Sequence, residues 1–271
     1  MDYLYYLRTE NMPHIWCDGC GNGIVLKSLL RVINKLAWDK NDIALVSGIG
    51  CSSRTPGYVD FNTLHTTHGR ALAFATGLKI ANPKLHVIVV SGDGDATAIG
   101  GNHFIHAARR NIDITMIIFN NMIYGMTGGQ VSPTTPAGKM ATTAPYGNPD
   151  PPFDISRLAA AAGASYVARS TVFHYARLDK YIEQALTRKG FAVVEVLTPC
   201  PTSYGRMNKE GNGAAMLLYQ KENTVSLAKA SGMSPEELRN KLVVGVFVDR
   251  QQPDYQSHYE AVVTKARSEI K

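Results

Sequence analysis

The sequence predicts an α/β protein built on a doubly wound parallel sheet. Three observations carry that expectation. Short apolar, β-branched runs alternate with segments of helical spacing along most of the chain. Most of these runs stop at Gly, Asn or Pro, the residues that turn a chain out of a strand. The length, 271 residues, suffices for one large domain with an extension.

The elements follow in order. Residues 22–36 carry Ile24, Val25, Leu29, Val32, Ile33 and Leu36, which share one helical face. Residues 43–46 (Ile-Ala-Leu-Val) form a buried strand that ends at Gly48. Residues 69–81 suit a helix that stops at Asn82-Pro83. The run 86–90 is a strand ending at Ser91-Gly92, 100–110 a helix, and 112–119 a strand ending at Asn120-Asn121. A long irregular stretch, 125–154, is rich in Gly, Pro and Thr. Helices are expected at 156–162 and 174–188, with a short strand at 166–168 between them. A last strand, 191–197, ends at Thr198-Pro199-Cys200. Right-handed crossovers bring the ends of these strands to one edge of the sheet. From Gly205 the pattern changes, so the chain divides into a main domain, 1–204, and a C-terminal extension, 205–271. The extension carries a helix at 235–241 and a strand at 243–248, and reads equally as a packed tail or a functional segment.

Composition narrows the function classes. No apolar run approaches the ~20 residues that span a bilayer. The start, Met1-Asp2-Tyr3-Leu4-Tyr5-Tyr6, lacks the basic and apolar regions of a signal peptide, so a cytoplasmic protein is expected. The net charge of +6 suits an acidic partner. The basic residues are scattered, however, and no nucleic-acid motif is present, which argues against a nucleic-acid binder.

Two groups of residues point to chemistry. Asp93 and Asn121 each lie just past a strand of one βαβ unit, so both side chains reach the carboxyl edge, where open α/β sheets bind ligands. Magnesium takes hard oxygen ligands and is often completed by phosphate. Gly92 and Gly94 let the backbone approach a diphosphate, and a helix opening at Gly100-Gly101 turns its positive end the same way. Alone, Gly-Asp-Gly and Asn-Asn are ordinary turns. Together, with 25 residues between Gly94 and Asn120, they resemble the thiamine diphosphate fingerprint.

The second group is the four cysteines, Cys17, Cys20, Cys51 and Cys200. Cys51 and Cys200 follow strands that end on the same edge as Asp93, and the Cys17–Cys20 turn precedes the first helix. Disulfides suit a cytosolic chain poorly. Four thiolates suit an iron–sulfur cluster or a structural zinc, and free thiols or a redox pair remain as alternatives.

At this point the sequence resembles a family. Cys17-Asp-Gly-Cys20-Gly21, Ile49-Gly50-Cys51-Ser52, His65-Thr-Thr-His68-Gly69-Arg70, Gly92-Asp93-Gly94-Asp95, the run from Asn120 to Gln130, and Pro199-Cys200-Pro201 are similar to the β subunits of 2-oxoacid:ferredoxin oxidoreductases. The resemblance spans about residue 10 to about residue 210, and Gly-Cys-Ser-Ser-Arg at 50–54 looks most like the 2-oxoglutarate enzymes. The resemblance implies that Cys17, Cys20, Cys51 and Cys200 hold one [4Fe-4S] cluster. It implies that Asp93, Asn121 and the Ile123 carbonyl bind Mg2+. It implies that Ile49, Gly50, Cys51, Ser52, His68, Gly94, Asp95, Gly125 and Met126 line thiamine diphosphate, with Met126 as an apolar wedge and Arg54 on a substrate carboxylate. Plainer readings stand beside these: Met126 and His68 as core residues, and Arg70 as a surface partner.

The implied reaction is oxidative decarboxylation of a 2-oxoacid, with coenzyme A taking the acyl group and ferredoxin the electrons. With a strong enough donor it runs in reverse and fixes CO2. Pyruvate and branched-chain oxoacids share the reacting end with 2-oxoglutarate. Thiamine enzymes use a Glu to activate the cofactor, yet Glu10 is the only Glu before position 183 and belongs to none of the motifs. The family places that Glu on an α subunit, so an α2β2 complex is expected. The competing classes are a non-oxidative thiamine lyase with structural zinc and a non-catalytic subunit that keeps the fold.

Overall fold

In the computed structural model, residues 3–269 are described. Eight strands form one sheet: β1 (Ile43–Ser47), β2 (Asn62–His65), β3 (His86–Gly92), β4 (Thr115–Asn120), β5 (Tyr166–Thr171), β6 (Ala192–Leu197), β7 (Thr224–Ser226) and β8 (Leu242–Asp249). Their order is β2-β1-β3-β4-β6-β5-β8-β7, and every pair is parallel except β5 with β8. A mostly parallel sheet is thus observed, as the alternating pattern predicts.

Helices cover both faces. α1 (Asn22–Leu36), α2 (Ala71–Ala81), α3 (Asp93–Thr97), α4 (Gly101–Arg110), α5 (Ile155–Ala161) and α6 (Tyr175–Thr187) belong to the main body. The pleat sends successive side chains to opposite faces. Leu45, Ile88, Ile117 and Val194 join α1 and α6 on one side. Val46, Val89, Ile118 and Val193 join α2, α4 and α5 on the other. Because β1, β3, β4 and β6 are buried on both faces, their sequences are mainly apolar rather than alternating, whereas the equally buried β5 carries Arg169, Ser170 and Thr171.

The C-terminal region carries α7 (Gly213–Asn223), α8 (Leu227–Ala230), α9 (Pro235–Leu238) and α10 (Tyr255–Glu269). Its strand β8 enters the main sheet, with Tyr166 opposite Asp249. α10 buries no side chain. Among the described residues no helix is long and apolar enough to cross a membrane.

Several elements differ from the sequence reading. β2 is polar and largely exposed at the sheet edge, so no apolar run marks it. α3 begins at Asp93 itself, where the sequence suggests a turn. The helix start beside the Asp93 carboxylate is therefore that of α3, and α4 opens one turn later. α7 shows no apolar stripe and buries only Gly213 and Gln220, which hides it from periodicity. The helix expected at 235–241 shrinks to α9, closed by a Ser234–Glu237 capping box.

Candidate functional site

The parallel register sets the site. Gly92 of β3 lies opposite Phe119 of β4, so Asp93 and Asn120-Asn121 leave the sheet side by side. Asp93 is buried, and its Oδ2 accepts from Ser132 Oγ at 2.6 Å and Thr134 Oγ1 at 2.5 Å. Burial pushes the Asp93 carboxyl above its ordinary range, while the two hydroxyls and the Asp93 and Gly94 amides act against that rise. Such a carboxylate gains much from a cation. Asn121 is half-buried and its Oδ1 accepts from Ile123 N at 3.3 Å. Ile123 is buried, in a turn whose residue Met122 is left-handed at φ 63°. Asn120 points the other way, with Nδ2 donating to Glu195 at 2.8 Å. Of the two asparagines, Asn121 is therefore the one free to face a metal.

Asp95 organises the second part. Its buried Oδ1 accepts from Gly69 N at 2.6 Å and Ile49 N at 3.2 Å and lies 2.6 Å from His68 Nδ1, while Ser91 Oγ donates to Oδ2 at 2.5 Å. A carboxylate only accepts, so Nδ1 of His68 carries the proton and Nε2 is the basic nitrogen. A side chain at Gly48 would strike this carboxylate, which explains the glycine there. At Gly94 it would strike the Tyr124 ring, which also meets His68 edge-on at 6.1 Å. Ile49 and Met126 are exposed hydrophobics, and Gly50 adopts φ 125° with open space where a side chain would stand. Arg54 is exposed, its Nη2 lying 3.9 Å from the Met126 sulfur.

The cysteines are reduced, and they converge. A Cβ built on Gly125 would stand 3.5 Å from the Cys200 sulfur and 3.8 Å from that of Cys51. Glycine at 125 thus leaves room between these sulfurs and the Asn121 amide. Cys20 interacts electrostatically with the other three, and burial pushes its thiol up to about 12. Burial raises Cys51 too, with Cys200 and Cys17 adding to it. Backbone amides of Asn22 and Met126 hydrogen-bond Cys20 and Cys51 and favour their thiolates. Cys17 is exposed and the other three are half-buried.

Within two residues of Cys20, Cys51 and Cys200 in sequence, Asn22, Ser52, Ser53 and Thr198 bury polar side-chain atoms that have no partner, as do Arg188 and Gln256 elsewhere. Such orphans are rare in a finished interior and fit a polar ligand shell that a bound group completes. Among the described residues, no three His, Cys, Asp or Glu close on a single metal ion.

Sequence reasoning missed Ser132, Thr134, Tyr124 and Glu195. The first two lie in the irregular stretch, whose small apolar cluster (Ile123, Ala141, Tyr204) folds it back over the strand ends. A signal existed only for Glu195, a lone charge in an otherwise apolar strand.

Comparisons with known proteins identify the family. Residues 48–196 match the thiamine pyrophosphate enzyme, C-terminal TPP binding domain. The chain is 54% identical over 266 residues to 2-oxoglutarate synthase subunit KorB of Methanocaldococcus jannaschii, covering 98% of both chains. It is 56% identical to the KorB subunit of Archaeoglobus fulgidus, covering 91% of this chain and 88% of that one. A solved 2-oxoglutarate:ferredoxin oxidoreductase from Magnetococcus marinus, with 2-oxoglutarate, coenzyme A and succinyl-CoA bound, superposes with a TM-score of 0.87. It is 33% identical and covers 98% of this chain and 91% of its own. The chain therefore belongs to the family of 2-oxoglutarate synthase KorB subunits, built on the thiamine pyrophosphate-binding domain.

Proposed function

We propose that this chain is the β subunit of a thiamine diphosphate-dependent 2-oxoglutarate:ferredoxin oxidoreductase, acting with an α subunit as α2β2. The reaction converts 2-oxoglutarate and coenzyme A to succinyl-CoA and CO2, with two electrons leaving for ferredoxin. The observation that carries the reading is the single sheet edge on which Asp93 and Asn121 stand beside the gathered sulfurs of Cys51 and Cys200. A thiamine enzyme that only cleaves or joins carbon bonds has no use for a redox centre there.

Thiamine diphosphate, when bound, would supply the carbon nucleophile for the 2-oxo carbon, and a [4Fe-4S] cluster would accept electrons one at a time. The residues divide the remaining work. Asp93, Asn121 and the Ile123 carbonyl hold Mg2+, a set of hard oxygens that leaves positions for phosphate. Ser132 and Thr134 donate to Oδ2 of Asp93 and so fix the orientation of the carboxylate that meets the metal. Asp95 fixes the Ile49 and Gly69 amides and the His68 ring along the cofactor cleft. Ile49, Gly50, Ser52, Gly94, Gly125 and Met126 line it. Cys17, Cys20, Cys51 and Cys200 hold the cluster, and Arg54 offers a guanidinium to a substrate carboxylate.

Among the described residues the buried carboxylates of this edge are committed. Asp93 and Asp95 hold hydroxyls, amides and His68, and Glu195 is paired with Arg169. The Glu that activates the cofactor then comes from the α subunit, and the chain alone is inactive.

The test is reduction of ferredoxin or viologen by the reconstituted complex across a panel of 2-oxoacids, with iron and acid-labile sulfide analysis. A brown protein that bleaches with 2-oxoglutarate and coenzyme A is expected. Comparable rates with pyruvate break the substrate assignment, and a colourless zinc protein breaks the redox one.

A further inference from the structure

Glu195 sits in the middle of β6, fully buried among Val193, Val194 and Val196. Removing a carboxylate from water costs several kcal/mol unless it is well paired, and a valine would suit this strand. Its bonds indicate what the charge achieves. Arg169 Nε at 2.7 Å and Ser156 Oγ at 2.6 Å donate to Oε2. Oε1 accepts from Asn120 Nδ2 at 2.8 Å.

A carboxylate cannot donate, so Glu195 dictates which way the Asn120 amide faces. The Oδ1 of Asn120 must point away from β6. There it accepts from Met122 N at 3.1 Å and lies 2.9 Å from Thr134 Oγ1, whose single proton it shares with Asp93 Oδ2. The first bond closes the turn that forces Met122 to φ 63° and presents Asn121 and Ile123. The second fixes the hydroxyl that lies 2.5 Å from Asp93 Oδ2. One buried side chain therefore stands behind all three groups proposed as magnesium ligands. Arg169 extends the support, since its Nη1 reaches the Val243 carbonyl and its guanidinium stacks on Phe247, both in β8.

We infer that Glu195 is a positioning residue for the Mg2+–diphosphate site, acting through the donor–acceptor polarity it imposes on Asn120. The inference rests on the reading of Asp93, Asn121 and Ile123 as the magnesium ligands. Partners of this kind behind metal ligands change metal affinity roughly 10- to 100-fold when altered.

Donor–acceptor polarity supplies a specific test. In Glu195→Gln, the oxygen stays on Arg169 and Ser156, so the new amide confronts Asn120 Nδ2, donor against donor. Asn120 turns over, and its NH2 then opposes the Met122 N–H. Adding Asn120→Asp restores the match: the glutamine NH2 donates to one oxygen of the new carboxylate, and the other oxygen accepts from Met122 and Thr134. Wild type, E195Q and N120D/E195Q are assembled with the α subunit. Calorimetry then measures thiamine diphosphate binding across a Mg2+ titration, and melting is recorded without divalent cation.

The expected result is a Mg2+ midpoint raised roughly tenfold or more in E195Q and returned towards wild type in the double variant. An unchanged midpoint in E195Q overturns the inference. So does a raised midpoint that the double variant fails to lower, because the double variant restores the donor–acceptor match that the inference holds responsible. If E195Q does not assemble, recovery of assembly in the double variant supports the inference and failure to recover overturns it. If wild type binds the cofactor with no dependence on Mg2+, the metal-site reading itself fails, whatever the variants do.

Discussion

The two edges of the sheet are built on opposite plans. At the amino edge, charges answer one another. Lys79, nearly buried, donates to the Leu85 carbonyl and pairs with Asp113 at 2.8 Å, and Lys189 reaches the same carboxylate at 3.1 Å. His86 stacks on Trp38 with ring centroids 3.6 Å apart. At the carboxyl edge, polar groups converge on space. Ser52, Ser53, Thr198 and Asn22 lack partners there, and Gly48, Gly94 and Gly125 withhold side chains where groups must meet closely. One edge pairs most of its charges, with Arg188 Nε the exception, and the other gathers most of the unpartnered polar side chains of the described residues. Proteins accept such local conflicts where they function.

The largest expected effect tests that contrast directly. Asp93→Asn removes a buried charge without changing shape. In the reconstituted complex it should abolish Mg2+-dependent retention of thiamine diphosphate and lower turnover by ~100-fold. Without cofactor, the melting temperature should hold or rise, because the burial of this carboxylate outweighs the hydroxyls and amides that hold it. A fall of several degrees in that scan would show the carboxyl edge to be structural and would break the comparison. Lys79→Met is the converse. It strands Asp113 with only the exposed Lys189 and should cost about 2 kcal/mol, read as a lower melting temperature. The Mg2+ midpoint should not move. A shifted midpoint would mean that the two edges are linked through the sheet.

The same contrast decides what the sequence reveals. The buried parallel strands are continuous apolar runs, so β1, β3, β4 and β6 are legible from residues alone. The candidate-site residues legible in sequence are those tied to strand ends or to cysteine: Asp93, Asn121, Cys51 and Cys200. β2 and α7 escape because neither presents an apolar pattern of its period. Ser132 and Thr134 escape for another reason. They reach Asp93 from 39 and 41 residues away, across a loop whose path follows no periodicity. Glu195 is visible as an anomaly in β6, but its partners Arg169 and Asn120 come together only through strand order β4-β6-β5.

Gly94→Ala sharpens the carboxyl-edge side of the comparison at smaller scale. The added methyl meets the Tyr124 ring, which must swing away from its edge-on contact with His68. Overpacking of this kind costs ~1–3 kcal/mol. The loss should appear mainly as weaker thiamine diphosphate binding in calorimetry, since the clash falls on cofactor-facing groups. Equal binding, with only a lower melting temperature, would place Tyr124 outside the site.

The smallest effect belongs to the amino edge and to pH. Burial, with Lys79 next, holds the His86 imidazole below its usual range. In the unfolded chain it titrates near ~6.5. Above that pH both states are neutral and the contribution to stability is complete. As pH falls below it, the unfolded chain binds the proton first, so stability is lost until the folded imidazole also titrates. Asp113 differs: burial pushes its carboxyl up, but Lys79 and Lys189 outweigh that and hold it below the carboxylate range. Its contribution persists above the unfolded value of ~3.9 and disappears only in stronger acid. Between about pH 7 and pH 5, then, protonation of His86 in the unfolded chain lowers stability, and Asp113 contributes no such change. His86→Phe keeps an aromatic ring against Trp38 and removes the proton site. Its melting temperature should fall less steeply than wild type over that interval. Parallel slopes would mean that the folded imidazole protonates as freely as the unfolded one, and that the amino edge is less closed than its ion pairs suggest.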